Sequence, residues 1–151
     1  MIITTEQYLM GRDARFPGDL TDEILANIRD LLPRVNMLIQ LAAVEGVTFE
    51  ISPRTKTILT SGWRPPAINE ATHGAAPMST HMAGQGIDIY DPNDGDLDDW
   101  LWKNQHVLGR PDINLYMEHP SATKGWAHLQ SRVPKSQRNL PMNARRRWFY
   151  P

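Results

Sequence analysis

Two of the chain's five histidines stand where they could share a metal ion with a carboxylate. His81 and Asp88 lie seven positions apart in Ser79-Thr80-His81-Met82-Ala83-Gly84-Gln85-Gly86-Ile87-Asp88, with Gly84 and Gly86 between them. A spacing of three or four would put both side chains on one helix face. Seven with internal glycines predicts a loop that turns back and feeds a short strand, so that the two groups meet. His128, in Gly125-Trp126-Ala127-His128-Leu129-Gln130, is the candidate third ligand. Two imidazoles and one carboxylate suit a zinc ion, one per chain, with a coordination position left for water. A structural zinc site is normally closed by four ligands, most often including cysteine, and this chain has no cysteine. Zinc held in this open way acidifies water and polarises carbonyls, so the expected reaction is hydrolysis of an amide.

Hydrolysis also needs a proton acceptor that is not a ligand, and a donor for the oxygen that becomes negative. Glu118 is the candidate base and Arg64 the candidate electrophile, through its fork of donors. Ser79 is expected to anchor substrate or orient the loop, and Trp126, beside His128, to contact substrate. His73 and His119 are candidates for supporting or substrate-contacting groups. Read singly, each of these residues has an ordinary structural role: His81 and His128 as hydrogen-bonded side chains, Asp88 and Ser79 as turn or cap residues, Glu118 and Arg64 as surface charges. It is the joint pattern that points to chemistry.

Elements that could position these groups are readable in the hydrophobic pattern. Residues 1–20 read as a short helix or turn and an irregular lead-in. Ile24, Ile28, Leu31, Leu32, Val35, Leu38, Ile39 and Ala42 recur at helical steps, with Thr21 as N-cap and Gly46 as the stop. Pro33 inside this run implies either a kink or two helices. Thr57–Trp63 reads as a first strand and Gly86–Tyr90 as a second, with Asp88 facing a cleft and Ile87 and Ile89 facing the core. Asp91-Pro92-Asn93-Asp94-Gly95 is a turn that lacks the ligand alternation of a calcium loop. Leu97–Leu108 suits a second helix ending near Gly109. Ile113–Glu118 reads as a third strand, with Tyr116 and Glu118 on one face, and Gly125–Gln130 as a fourth, with Trp126, His128 and Gln130 together. The tail, 132–151, holds Arg145-Arg146-Arg147, expected as a solvated face, and Trp148-Phe149-Tyr150, expected to pin it to the body.

These elements predict a single α+β domain over 1–151, with helices on one face of a small, mainly antiparallel sheet and the zinc cleft on the other. At 151 residues the chain can bury a substantial core. With 16 basic and 17 acidic residues, its charge gives no reason to expect nucleic acid as a partner. No run approaches the roughly 20 apolar residues of a membrane span, so no membrane insertion is expected. The amino terminus has no secretory signal pattern, so synthesis in the cytoplasm is expected.

Ser79-x-His81-x-x-Gly84-x-Gly86-x-Asp88, preceded by Ser61-Gly62-Trp63-Arg64-Pro65 and followed by Trp126-x-His128, resembles the zinc D-alanyl-D-alanine carboxypeptidase family. That family includes vancomycin-resistance dipeptidases and phage endolysins, and shares its fold with the hedgehog amino-terminal domain. The likeness to small phage members extends to Leu9–Asp13, Arg34–Asn36 and the Trp126–Gln130 strand. It implies zinc on His81, Asp88 and His128, substrate contact by Arg64, a supporting Ser79, and a peptidoglycan stem peptide as substrate. The implied activity is D,D-carboxypeptidase or L-alanyl-D-glutamate endopeptidase, by a monomer that reaches the wall after release or is packaged in a phage particle. The alternative is a non-catalytic zinc-containing wall- or virion-binding module of the same fold. Two positions depart from the family: Gly86 replaces the usual alanine, and Gly125 stands where many members carry the catalytic glutamate, three residues before the last histidine. Glu118 can take that role only if the segment 120–124 folds back and brings its strand alongside His128.

Overall fold

The computed structural model of the protein describes residues 2–92 and 95–151. Asn93 and Asp94, from the expected Asp91–Gly95 turn, lie outside the described residues. The architecture is α+β, with six α-helices and a five-stranded, mostly antiparallel open sheet among the described residues.

The lead-in is more ordered than the sequence suggests. Helix α1 (Thr5–Leu9) starts in a capping box in which the Thr4 hydroxyl accepts from Gln7 N–H and the Gln7 side chain accepts from Thr4 N–H. Left-handed Met10 and Gly11 end it, and α2 (Arg12–Arg15) and a 3-10 turn (Pro17–Asp19) follow. Burial of Ile3, Tyr8 and Leu9 is what holds this segment to the body.

Helix α3 (Asp22–Val44) is the scaffold. Thr21 caps it by accepting from Ile24 N–H. The chain stays helical through Pro33, so the alternative of two helices is not realised. An interior proline costs about 3 kcal/mol, whereas each fully buried large aliphatic returns about 1.5–3 kcal/mol. Ile28, Leu31 and Leu32 before Pro33 and Val35, Leu38 and Ile39 after it are all buried in one core. Packing therefore outweighs the missing hydrogen bond. Gly46 (φ +99) follows the last turn, with Gly46 N–H on Ala43 O and Val47 N–H on Ala42 O, a Schellman closure. Asn36, in the Arg34–Asn36 step, exchanges hydrogen bonds with both Ile3 N–H (2.7 Å) and Ile3 O (3.0 Å), so it ties α3 to the amino-terminal segment.

Strand β1 spans only Leu59–Ser61, shorter than expected, because its register slips after Leu59 and the chain leaves the sheet. Trp63 N–H instead donates to Tyr8 O at 2.9 Å. Residues expected to be loop then form α4 (Pro66–Ala71), opened by a proline at its first turn. Strand β2 is Gly86–Asp91. The expected second helix is two, α5 (Asp96–Lys103) and α6 (Gln105–Leu108), divided at Asn104. Strand β3 is Tyr116–Glu118, starting late because Asn114 adopts a left-handed φ of 47°, and β4 is Gly125–Gln130 as expected.

The sheet order is β1-β2-β4-β3-β5, where β5 (Trp148–Phe149) runs parallel to β3 at the edge. The tail is thus pinned by backbone pairing as well as by aromatic packing. The arginine run is solvated only in part: Arg146 is exposed and lies over Trp148, whereas Arg147 is buried over the Tyr116 ring and donates to Asn114 Oδ1 at 2.7 Å. On β2, β3 and β4 the residues Ile87, Ile89, Met117, Ala127 and Leu129 share the core with α3 and α5. The opposite face carries the polar row described next. Among the described residues no helix is long and apolar enough to cross a membrane.

Candidate metal centre

Antiparallel pairing sets Asp88 opposite His128, and Ser61 opposite Asp88. Tyr116 pairs with Gln130 and Met117 with Leu129, and the next step of that register brings Glu118 opposite His128. Residues directly opposite in a sheet share a face. Ser61, Asp88, His128 and Glu118 therefore form one row across four strands. The segment 120–124 folds back between β3 and β4, which meets the condition on Glu118 set by its sequence distance from His128.

The histidine loop is seated on α3. Asn27 Nδ2 donates to Ala83 O at 2.9 Å, and Gly84 (φ +72) lies so close to Ile24 and Ile28 that a Cβ there would come within 2.8 Å of Ile28 Cγ1. Trp63, fully buried, donates from Nε1 to Met82 O at 3.2 Å. Tyr8 hydroxyl donates to Gly86 O at 2.8 Å, so α1 ties the end of β1 to the start of β2. The Ser79 hydroxyl accepts from His81 N–H at 3.2 Å and from Arg64 Nη2 at 3.3 Å, which makes Ser79 a loop-orienting residue that also touches the Arg64 guanidinium. Arg64 N–H donates to His81 O at 3.2 Å, and its side-chain Nε is buried with no acceptor.

At the centre, Asp88 Oδ1 lies 3.2 Å from His81 Nε2 and 2.7 Å from His128 Nδ1, and one donor atom from each of the three residues falls within 4.8 Å of the others. His81 is 2% and His128 7% exposed. The far nitrogens fix the tautomers. His81 Nδ1 is 2.8 Å from Gly62 O, an acceptor only, so Nδ1 carries the proton. His128 Nε2 is 3.0 Å from Gln130 Oε1, whose amide is oriented by its own donation to Arg132 O at 2.7 Å. When the rings are neutral, His81 Nε2 and His128 Nδ1 are the lone-pair nitrogens, and both face a carboxylate oxygen. Three converging acceptors in a dry site repel one another unless a proton or a metal cation stands among them. Buried imidazoles oriented by a carbonyl behind them are the usual arrangement of metal-ligating histidines. The three residues could together hold a metal ion.

The electrostatics agree. Burial works against the Asp88 carboxylate, but the charge and hydrogen bonds of His81 and His128 outweigh it and hold the carboxyl far below its usual range. Burial pushes His81 down, only partly opposed by Asp88. Burial also works against the His128 imidazolium, yet the hydrogen bond and charge of Asp88 raise its pKa. The buried carboxylate thus favours positive charge at His128, while burial disfavours it at His81. Glu118 is raised above its ordinary value, by burial first and by Asp88 second, with His128 opposing.

Of the remaining candidates, Trp126 lies on the same sheet face, opposite Tyr90, and is partly buried. His119 belongs to an aromatic group with Trp102, Trp148 and Tyr150, and His73 is exposed in the loop after α4; neither is part of the metal cluster. Sequence reasoning placed Gln130 on the cleft face without a role and missed the Gly62 carbonyl. The signal for Gln130 was its spacing of two from His128. Gly62 O had none, because a backbone acceptor leaves no trace in residue type. Gly62 itself is required by proximity, since a Cβ would sit 2.0 Å from Tyr8 O.

Comparison with family models, with curated proteins and with solved structures finds no match.

Proposed function

We propose that the protein is a zinc-dependent peptidase that hydrolyses an amide of the peptidoglycan stem peptide, as a D,D-carboxypeptidase or an L-alanyl-D-glutamate endopeptidase. The observation that carries the reading is the convergence of His81 Nε2 and His128 Nδ1 on Asp88 Oδ1, with Glu118 next in the same row. The cell-wall substrate rests on the resemblance of the Ser79–Asp88 and Trp126-x-His128 motifs, and a hedgehog-like fold is part of the same proposal.

His81, Asp88 and His128 would hold the metal. When bound, zinc supplies Lewis-acid polarisation of the scissile carbonyl and acidifies water. Glu118 accepts the proton of the attacking water and returns it to the amine as the C–N bond breaks; burial raises its pKa above the ordinary carboxylate range, which makes it a stronger proton acceptor. Arg64, with guanidinium donors beyond the one on Ser79, neutralises the developing oxygen charge or a terminal carboxylate. Gly125 has φ +94, a backbone that disfavours glutamate, so the base is carried on the neighbouring strand instead.

The test is incubation of the zinc-loaded protein with purified peptidoglycan and with stem peptides, following new amino groups. Release by the wild type, lowered about 10²–10⁴-fold in Glu118→Gln with zinc content intact, is expected. Peptide binding without release, identical in wild type and Glu118→Gln, would overturn the peptidase reading in favour of a zinc-containing binding module.

A further inference from the structure

A cavity of about 660 Å³ opens beside the metal row, where Asp91 at the end of β2 pairs with Gly125 at the start of β4. That pair is three residues along the strands from Asp88 and His128, or roughly 10 Å at the strand rise. The cavity is lined by Asp91, Asp98, Trp102, His119, Thr123 and Lys124, among others.

Its two buried carboxylates are differently engaged. Asp91 is used up by the fold: Oδ1 accepts from Leu97 N–H at 3.0 Å and Oδ2 from Asp98 N–H at 2.9 Å, which closes the start of α5. Asp98, 5% exposed, accepts from Thr123 Oγ1 at 2.7 Å through Oδ2, while Oδ1 is buried with no donor. Among the described residues the lysine and arginine ion pairs are Arg34–Asp30, Lys103–Asp99 and Arg110–Asp112, and none neutralises Asp91 or Asp98. An unpaired buried carboxylate oxygen is costly to the fold, and a ligand that donates to it recovers that cost. Burial, with the charges of Asp91 and Glu118, raises Asp98 to about 7, against the opposing Thr123 hydrogen bond and the more distant charge of His128.

The rest of the lining supplies the second half of the recognition. Trp102, 36% exposed, is braced at its edge by His119 and Trp148 at centroid distances of 4.9 and 5.4 Å, so it is a fixed aromatic wall. Carboxylate and indole together suit a cation on an aliphatic arm: the carboxylate takes N–H donors, and the ring attracts the cation and covers the methylenes. A hydrated divalent ion would need more oxygen ligands than one free carboxylate offers, and no third acidic or histidine ligand joins Asp91 and Asp98 in a metal-sized cluster among the described residues.

We propose that this cavity binds a primary ammonium group on an aliphatic arm, with Asp98 as acceptor and Trp102 as wall. On the peptidase reading, on which this substrate assignment rests, the arm is the side chain of a lysine or another diamino acid near the scissile bond. A side chain of that length spans much of the separation between the cavity and the metal row.

The experiment has a binding arm that does not require turnover. The protein is titrated with 1-aminopentane, 1-pentanol and N-acetylglucosamine while the Trp102 indole N–H is followed by NMR. Saturable perturbation by the amine in the millimolar range, absent with the alcohol and weakened about tenfold or more in Asp98→Asn, is the expected result. Trp102→Ala, altered at a partly exposed position, provides a second variant and is expected to weaken amine binding as measured by isothermal titration. No amine response, an equal response to pentanol, or a response to the sugar alone would overturn the proposal. The second arm compares kcat/KM for stem peptides carrying lysine or norleucine. Preference for lysine that shrinks in Asp98→Asn supports the substrate assignment, and equal rates overturn it. If no peptide is cut while the amine still binds, the peptidase reading fails and the ammonium site stands.

Discussion

Replacing Gln130 with methionine keeps nearly the same length and volume but removes both ends of a two-bond chain. His128 Nε2–H loses its acceptor at 3.0 Å, and Arg132 O loses its donor at 2.7 Å. The first loss bears on the metal. Without Gln130 Oε1 the imidazole is free to place its proton on Nδ1, the atom 2.7 Å from Asp88 Oδ1 that must be a lone pair to ligate. Removal of a group that orients a ligating histidine typically costs 10–100-fold in metal affinity, about 1.4–2.7 kcal/mol. The second loss bears on the fold and costs about 1–3 kcal/mol, or roughly 2–4 °C in Tm per kcal/mol for a chain of this size. Competition for zinc against a chromophoric chelator reads the first, and thermal unfolding of the metal-free protein reads the second. A folded Gln130→Met protein that binds zinc within twofold of wild type would refute the argument that the far hydrogen bonds set the ligating tautomers.

Other perturbations separate further links. Gly86→Ala, a change toward the residue usual in the resembling family, would put a Cβ 2.2 Å from Thr80 Oγ1 and 2.9 Å from Thr80 Cβ. Overpacking of this kind costs about 1–3 kcal/mol, and Thr80→Gly in the same chain should recover part of it; unchanged unfolding of Gly86→Ala would show that the loop has slack. His81→Ala should abolish stoichiometric zinc in elemental analysis after dialysis, and full retention would contradict the ligand set. The Asp98 carboxyl, raised to about 7, keeps its proton in the folded protein at pH values where the unfolded chain has released it. The unfolded state then binds fewer protons, so this group's contribution falls as pH rises from about 4 to about 7, by an amount on the order of a few kcal/mol. Asp98→Asn, which keeps an acceptor for Thr123, should flatten that decline in denaturant melts across the pH range, and a slope equal to wild type would refute the assignment.

Sequence alone determined the elements whose signals are local. Helix α3 is written in the three-and-four spacing from Ile24 to Ala42, its start in Thr21 and its end in Gly46, because caps and amphipathic periodicity act within a few residues. Strand alternation likewise placed Asp88, Glu118, Trp126 and His128 on one face, since successive side chains of a strand must point to opposite sides. Motif spacing named the three residues that converge. What it could not reach were quantities set by partners distant in the chain. Whether α3 breaks at Pro33 depended on core burial on both sides of that residue. The short β1 and the helical lead-in are mutual consequences of Trp63 N–H turning from the sheet to Tyr8 O. The placement of Arg147 on Tyr116 against its neighbours' solvated appearance follows from β5 pairing with β3. The centre itself shows the division most plainly. Residue types supplied two imidazoles and a carboxylate, but which nitrogen of each ring faces Asp88 was decided by Gly62 O and Gln130 Oε1, acceptors that only the folded sheet brings behind the rings.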